Sequence, residues 1–214
     1  MIRIWGRASS SNVQAVMWAM AEMGLACDRL DVGYTYGGND TPEFLAMNPN
    51  GTIPVLQDGD NRPIWETGAI LRYLAGKYAA DDFWPKNPER RAEVDQWAEW
   101  AKINVSIRFT APIFWHVVRT APSKQDPQAV SRAMTALNRS LAIAEAQLEG
   151  QDYLVASGFT LADIQFGHLL YRYFDIDITR TRFPNIDTYY HRLMARDAYR
   201  EHVMVSYEEL RVLD

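Results

Sequence analysis

Three short segments near the start of the chain combine side chains that could hold and activate a small polar ligand. The first is Arg7-Ala-Ser-Ser-Ser-Asn12, which lies between a predicted strand and a predicted helix. Backbone N–H groups at a helix start stabilise negative charge, and hydroxyl or amide donors there add hydrogen bonds aimed at one point. Such a site favours a thiolate over a thiol. The alternative is that these Ser and Asn residues only cap the helix.

The second segment is Asn48-Pro-Asn-Gly-Thr-Ile-Pro-Val-Leu56, in which Pro54 opens a predicted strand directly after Ile53. A proline there is usually trans and merely occupies a position that needs no N–H donor. A cis Ile53–Pro54 bond would instead turn the backbone of Ile53 toward a pocket, where it could pair like a strand with a bound peptide. The segment is therefore a candidate main-chain site for a peptide-like ligand.

The third segment, Trp65-Glu-Thr-Gly-Ala-Ile70, begins a predicted helix. A carboxylate next to a hydroxyl and free N–H groups can hold an amino group and a carboxylate together, as in the free α-amino-acid end of a ligand. The alternative is an acidic first turn that only stabilises the helix.

The elements that position these segments follow from the alternation of short β-like runs and helical periods in the first 80 residues. Strands are predicted at residues 2–5, 27–32, 53–57 and 62–65, with helices after the first strand, from Thr41 and over residues 66–78. The order is βαβαββα. The first two strands must be parallel because a helix crosses between them.

Everything after Pro88 has the pattern of helices. A long helix is predicted from Glu89 to about Val118, and the apolar stripe between Val130 and Leu148 predicts another. Thr160 stands three residues before Asp163, a capping box that predicts a helix from Leu161, and residues 184–194 suggest one more. The change of pattern predicts an N-terminal domain over residues 1–80, a linker over 81–87 and a helical domain over 88–214.

The composition excludes several classes of protein. The chain has 214 residues and a net charge of −5, and it contains no run of Lys or Arg that would bind nucleic acid. No stretch has the length and apolarity of a membrane span or signal peptide, so we expect a cytoplasmic protein. Cys27 is the only cysteine, which excludes a disulfide framework or a Cys-x-x-Cys pair. The four histidines lack metal-ligand spacing, which predicts no metal site; they are His116, His168, His191 and His202.

In order and spacing, the three segments and the later Gly158–Asp163 run resemble the cytosolic glutathione transferase superfamily, in particular its bacterial theta-like, serine-type members. The resemblance implies a thioredoxin-like N-terminal domain (βαβαββα) followed by an all-helical C-terminal bundle. It also implies glutathione as co-substrate, no metal, and a homodimer.

Carried over to this sequence, the resemblance implies that the Ser10 hydroxyl faces the glutathione thiol, with Asn12 and Ser11 as alternatives. The implied glutathione contacts are Ser9, Thr52, Ile53, Pro54, Glu66 and Thr67. Thr52 replaces the Lys or Arg of many relatives, so that charge contact to the glycine end of glutathione is lost or replaced. Cys27 lies far from the thiol position, which disfavours omega-type thiol exchange.

The implied reaction is conjugation of the glutathione thiolate to small hydrophobic electrophiles bound between the domains. The long helix supplies five candidates for the electrophile pocket: Ile103, Ile107, Phe109, Phe114 and His116. We expect only two or three of them to line the pocket, because the others must belong to the core. Two alternatives stay open. One is another glutathione-dependent reaction, such as disulfide or peroxide reduction, isomerisation or dehalogenation. The other is a catalytically silent binding protein on the same fold.

Overall fold

The computed structural model describes residues 1–214 and begins with a four-stranded mixed sheet. The strands are β1 (Ile2–Trp5), β2 (Cys27–Leu30), β3 (Val55–Asp58) and β4 (Ile64–Trp65), in the spatial order β2-β1-β3-β4. As predicted, β1 and β2 are parallel; β3 is antiparallel to both β1 and β4.

Three helices complete the N-terminal half: α1 (Ser11–Glu22), α2 (Pro42–Met47) and α3 (Thr67–Tyr78). Thr41 caps α2 by accepting a hydrogen bond from the Phe44 N–H at 3.3 Å. The predicted order βαβαββα is confirmed, but β2 ends at Leu30 instead of Val32, and β3 and β4 begin later and are shorter than predicted. Pro54 and Pro63 precede them directly, and a proline has no N–H to donate to a strand ladder.

The second half is helical throughout. Helix α4 (Pro88–Trp100) continues through wider π-type turns at Ala101–Ser106 and Thr110–Trp115 and ends at Val118. The other helices are α5 (Pro127–Gln147), α6 (Leu161–Gly167), α7 (Leu170–Asp175), α8 (Pro184–Met194) and α9 (Asp197–His202). The short helices α7 and α9 were not predicted from the sequence. The division into residues 1–80, 81–87 and 88–214 stays a prediction. No helix is both long and apolar enough to cross a lipid bilayer.

Helix α1 packs on both halves of the molecule. Val16 and Met20 join a small apolar cluster with the sheet, whereas Trp18 belongs to the large cluster formed with the helical half. The ring of Trp18 lies edge-on to that of Tyr199, with the ring centroids 4.8 Å apart. Because both faces of α1 are fixed by packing, the loop that precedes it is held where the two halves meet.

Asp58, the last residue of β3, ties the sheet to α3. Its carboxylate accepts hydrogen bonds from Lys77 Nζ at 2.6 Å, Tyr78 Oη at 2.5 Å and Tyr73 Oη at 2.7 Å. These contacts, that of Lys77 foremost, lower the pKa of Asp58 to about 2.

This network predicts a specific pH dependence of stability. Because the folded pKa of Asp58 lies below its ordinary value, its contribution is complete above about pH 4 and is lost as the pH falls toward about 2. Urea unfolding at a series of pH values measures this effect. The free energy of unfolding should fall less steeply with decreasing pH for Asp58→Asn than for the wild type. Asp60→Asn, in the exposed turn that follows, is the control. If the free energy of unfolding of Asp58→Asn fell as steeply with decreasing pH as that of the wild type, the prediction would be contradicted.

Candidate active site

The three candidate segments meet at one end of the strands β1, β3 and β4. In the strand register Val55 pairs with Trp5 on one side and with Trp65 on the other. The first segment begins just after Trp5, the second ends into Val55, and the third begins at Trp65. Because neighbouring strands lie about 4.8 Å apart, the segments come together at the ends of three adjacent strands.

Gly6 allows the closest approach between the first two segments. A Cβ atom on Gly6 would lie 2.5 Å from Val13 Cγ2 and 3.3 Å from Ile53 Cβ, and its φ is +154°. Only glycine fits this position without moving α1. The first loop is thereby pressed against both the start of α1 and Ile53.

Ser10 occupies the N-cap position of α1 without acting as a side-chain cap. Its backbone is extended, and its side chain makes no hydrogen bond to the first turn of the helix or to any other group of the chain. The residue is 9% exposed. Ser11 and Asn12, the first two residues of α1, also form no side-chain hydrogen bonds. The capping interpretation therefore fails for these side chains, which are free to bind a ligand at the helix start.

Ser9 differs from its neighbours because its hydroxyl is engaged within the protein. Arg7 Nε donates to Ser9 Oγ at 3.1 Å, and Ser9 Oγ donates to the carboxylate of Glu209. The backbone carbonyl of Ser9 accepts a hydrogen bond from Arg172. The first loop is thus fastened to two residues of the C-terminal half.

Arg172 supplies a fixed positive charge behind this loop. It is 3% exposed and forms no ion pair, and besides Ser9 it contacts Gln14 Oε1 at 3.4 Å. Burial, and next the charge of Arg7, lower its pKa to about 10, so it stays protonated at neutral pH. Its Nε atom is buried without a partner. A positive charge in this place favours an anion at the start of α1.

Sequence analysis missed both Arg172 and Glu209, which lie far along the chain from the first loop. One signal could have revealed Arg172. It interrupts an otherwise apolar and aromatic run, Leu169–Phe174, and a charged residue on a helix with that composition must find a polar partner when it is buried.

In the second segment, the backbone polar groups of one residue have no hydrogen-bond partner within the chain. The Ile53–Pro54 bond is cis and Pro54 is buried. Asn48 Nδ2 donates to the backbone oxygen of Thr52 at 2.7 Å and to its Oγ1 at 3.2 Å. Neither the N–H nor the C=O of Ile53 forms a hydrogen bond within the chain. Those two groups are available to a peptide-like ligand.

The third segment contains a strained residue. Glu66 has a φ of +70°, a conformation that costs a non-glycine residue about 1–3 kcal/mol and that clusters at ligand sites. Its exposed side chain does not cap α3, whereas Thr67 in the first turn is buried. The Glu66 carboxylate and the free N–H groups at the start of α3 are open to a ligand.

The five candidates for the electrophile pocket do not share one face of the long helix. Phe109 and Phe114 are buried in the core, where Phe114 packs against Tyr207. Ile103 and Ile107 are 54% and 58% exposed. His116 is half-buried, with Nδ1 3.2 Å from the backbone oxygen of Ala111.

Other side chains of the helical half also approach the first loop. Arg119 follows the long helix, with its guanidinium carbon 5.1 Å from the ring centroid of Tyr34 and 4.9 Å from that of Trp115. Arg7 lies 5.4 Å from the same Tyr34 ring. The first loop and the end of the long helix therefore meet around Tyr34, and sequence analysis named neither Tyr34 nor Arg119.

Comparisons with known proteins agree with this arrangement. The chain matches the glutathione S-transferase N-terminal domain over residues 1–76 and the glutathione S-transferase C-terminal domain over residues 107–197. It is 34% identical over 206 residues to glutathione S-transferase GstB of Escherichia coli, covering 96% of this chain and 99% of that protein. It is 33% identical over 165 residues to glutathione S-transferase 3 of Zea mays, covering 76% and 73% of the two chains.

A solved structure is similar over nearly the whole chain. The theta class glutathione S-transferase of Xanthomonas axonopodis pv. citri with glutathione bound is 40% identical, with a TM-score of 0.90, over 96% of this chain and 98% of that one. Both domains of one family are matched, and GstB and the Xanthomonas structure align over almost their full length, so this chain belongs to the glutathione S-transferase family.

Proposed function

We propose that this glutathione S-transferase binds glutathione at the ends of strands β1, β3 and β4. It would then conjugate the glutathione thiolate to small electrophiles with an apolar body. The observation that carries the proposal is the free Ser10 hydroxyl at the start of α1, with the buried cation Arg172 fastened to the same loop. Helix N–H groups, a hydroxyl donor and a fixed positive charge all favour an anion.

The tripeptide would lie across the three segments. The free N–H and C=O groups of Ile53 would pair with the cysteinyl residue, and Glu66 and Thr67 would hold the γ-glutamyl amino and carboxylate groups. Ser9 and Thr52 remain predicted contacts. Their hydroxyls already have partners in the chain, so they would contribute through exchange of those hydrogen bonds or through their backbone.

Ionisation of the thiol is the chemical step that the site would assist. A thiol with an ordinary pKa of about 8.5 is only a few per cent ionised at neutral pH, and each unit of lowering requires about 1.4 kcal/mol of preferential stabilisation. A hydroxyl donor and a helix start can supply about one to two units. The thiolate sulfur then forms a C–S bond at the electrophilic carbon, and the leaving group departs with the bonding electron pair.

We also propose a symmetric homodimer that forms through α3 and α4, as the family resemblance implies. Light scattering should then report twice the 24.5 kDa mass of the chain. A monomeric mass at micromolar concentrations would contradict this assembly.

Retention on a glutathione-affinity column, followed by an assay with 1-chloro-2,4-dinitrobenzene, tests the function. We expect retention and conjugation. Retention without conjugation of any generic electrophile would favour another glutathione-dependent reaction. Failure of the column to retain the protein would favour a silent binding protein.

A further inference from the structure

Two guanidinium groups from different halves of the molecule lie next to one aromatic ring at the candidate site. Arg7 comes from the first loop and Arg119 from the end of the long helix, and their guanidinium carbons lie 5.4 Å and 5.1 Å from the ring centroid of Tyr34. The Arg119 guanidinium carbon also lies 4.9 Å from the ring centroid of Trp115, which is 44% exposed. We call these four residues the Arg7–Arg119 cluster.

The cluster carries more positive charge than the chain neutralises. The nearest carboxylate to Arg7 is that of Glu209, 4.0 Å from Nε and already bonded to Ser9. Arg119 makes neither an ion pair nor a side-chain hydrogen bond and is held by the two aromatic rings alone. Burial, and then the charge of Arg119, lower the pKa of Arg7, which reflects how close the two cations are.

Arg172 adds a third cation next to the cluster, again without an ion pair and with its Nε buried and unpartnered. Three guanidinium groups therefore lie close to the first loop, and the only ion pair that any of the three forms is that of Arg7 with Glu209. Partly buried charges are normally paired, and unpaired like charges repel one another. An anion supplied by a ligand would relieve this imbalance.

The glutathione thiolate would balance Arg172, as proposed above. For Arg7 and Arg119 two other anionic groups could do so: the glycine carboxylate of glutathione or a carboxylate on the second substrate. The groups proposed to hold glutathione all belong to the N-terminal half, at Ile53, Glu66 and Thr67. Arg119 and Trp115 belong instead to the helical half. Their position, and the flat aromatic surface beside the guanidinium, favour the second substrate.

We propose that Arg119, together with Arg7, binds a carboxylate on the electrophile, so that the preferred second substrate is a small aromatic acid. The proposal rests on the proposed function and narrows its substrate class from electrophiles with an apolar body to those that also carry a carboxylate. A guanidinium can bind a carboxylate through two parallel hydrogen bonds, and Trp115 and Tyr34 offer stacking surfaces for a ring. The acid must carry a leaving group on its ring, and we take a halogen as that group. The thiolate sulfur forms a C–S bond at the carbon that bears the halogen, and the halide leaves with the electron pair of the broken C–halogen bond.

A matched pair of electrophiles tests the proposal. The probes are 4-chloro-3-nitrobenzoate and 4-chloro-3-nitrobenzamide, which share leaving group and shape but differ in charge. The readout is kcat/KM divided by the uncatalysed rate for each probe. We expect the wild type to favour the acid, and Arg119→Gln to lose about tenfold on the acid and less than about twofold on the amide, with an unchanged KM for glutathione. Arg119→Lys should keep part of the preference.

Arg139→Gln, which removes an exposed arginine of α5, is the matched control and should leave both probes unchanged. Equal losses on acid and amide in Arg119→Gln would overturn the proposal, because they would reveal a purely structural role. An effect confined to the KM for glutathione would also overturn it and would assign Arg119 to the glycine carboxylate.

Failure of the proposed transferase function would give a different result from failure of the proposed carboxylate site. In that case the wild type would conjugate neither probe, and calorimetry with the chlorinated acid would still decide the subsite. Binding of the acid that weakens about tenfold in Arg119→Gln, with no binding of the amide, would support the anion site. Equal binding of the two probes, or no binding of either, would overturn it.

Discussion

Asp163→Ala is expected to lower the free energy of unfolding by about 3–5 kcal/mol at neutral pH. The carboxylate is buried where α6 begins and accepts four hydrogen bonds, from Thr160 N at 2.8 Å, Thr160 Oγ1 at 3.3 Å, Leu154 N at 3.1 Å and Tyr189 Oη at 3.0 Å. Burial raises its pKa to about 6 against the effect of these donors, so it is ionised at pH 7.5. Alanine would leave the four donors without a partner inside the core.

Denaturant unfolding followed by tryptophan fluorescence measures this loss. The control is Asp152→Ala, which removes an exposed carboxylate that pairs with Arg192 at 2.6 Å and should cost less than about 1 kcal/mol. A loss for Asp163→Ala no larger than that of the control would contradict the account of the capping box.

Ser10→Ala is the second large change, and its effect should fall on activity. We expect kcat to fall about 10- to 100-fold, because a hydrogen bond to a charged group contributes about 1.5–3 kcal/mol. The dissociation constant for glutathione should change less than about threefold, since the hydroxyl acts on the thiolate rather than on the peptide. Thermal stability should not change, because the Ser10 hydroxyl has no partner in the chain.

Stopped-flow or steady-state conjugation assays beside calorimetry separate these effects. Ser11→Ala and Asn12→Ala are the matched variants, since both residues also present free side chains at the start of α1. If Ser10→Ala keeps full turnover while one of them loses it, the role belongs to that residue instead.

The sequence predicts those features that depend on neighbouring residues. The Thr160–Asp163 spacing is a local signal, and α6 begins at Leu161 as predicted. The order of strands and helices along the chain followed from the alternation of periods, and the bounds of β1 and the long helix followed from apolar residues and prolines. The spatial order of the strands in the sheet was not predicted. The capping interpretation of Ser10 failed because the residue type does not reveal whether a side chain turns toward the helix.

Long-range pairing and helix rotation could not be predicted. Arg172 and Glu209 reach the first loop only through the packing of the helical half. For the long helix, apolar spacing identified Phe109 and Ile107 but not the face to which each belongs. Two stretches of π-type turns change the number of residues per turn, so a 3.6-residue period loses register along the helix.

The ionisation state of bound glutathione tests the central claim most directly. Ultraviolet absorbance of the thiolate, followed as a function of pH with the protein in excess over glutathione, reports the pKa of the bound thiol. The account predicts a value about one to two units below the ordinary 8.5 or so, and a return toward the ordinary value in Ser10→Ala. Saturable binding with an unchanged thiol pKa, or no binding at millimolar glutathione, would contradict it.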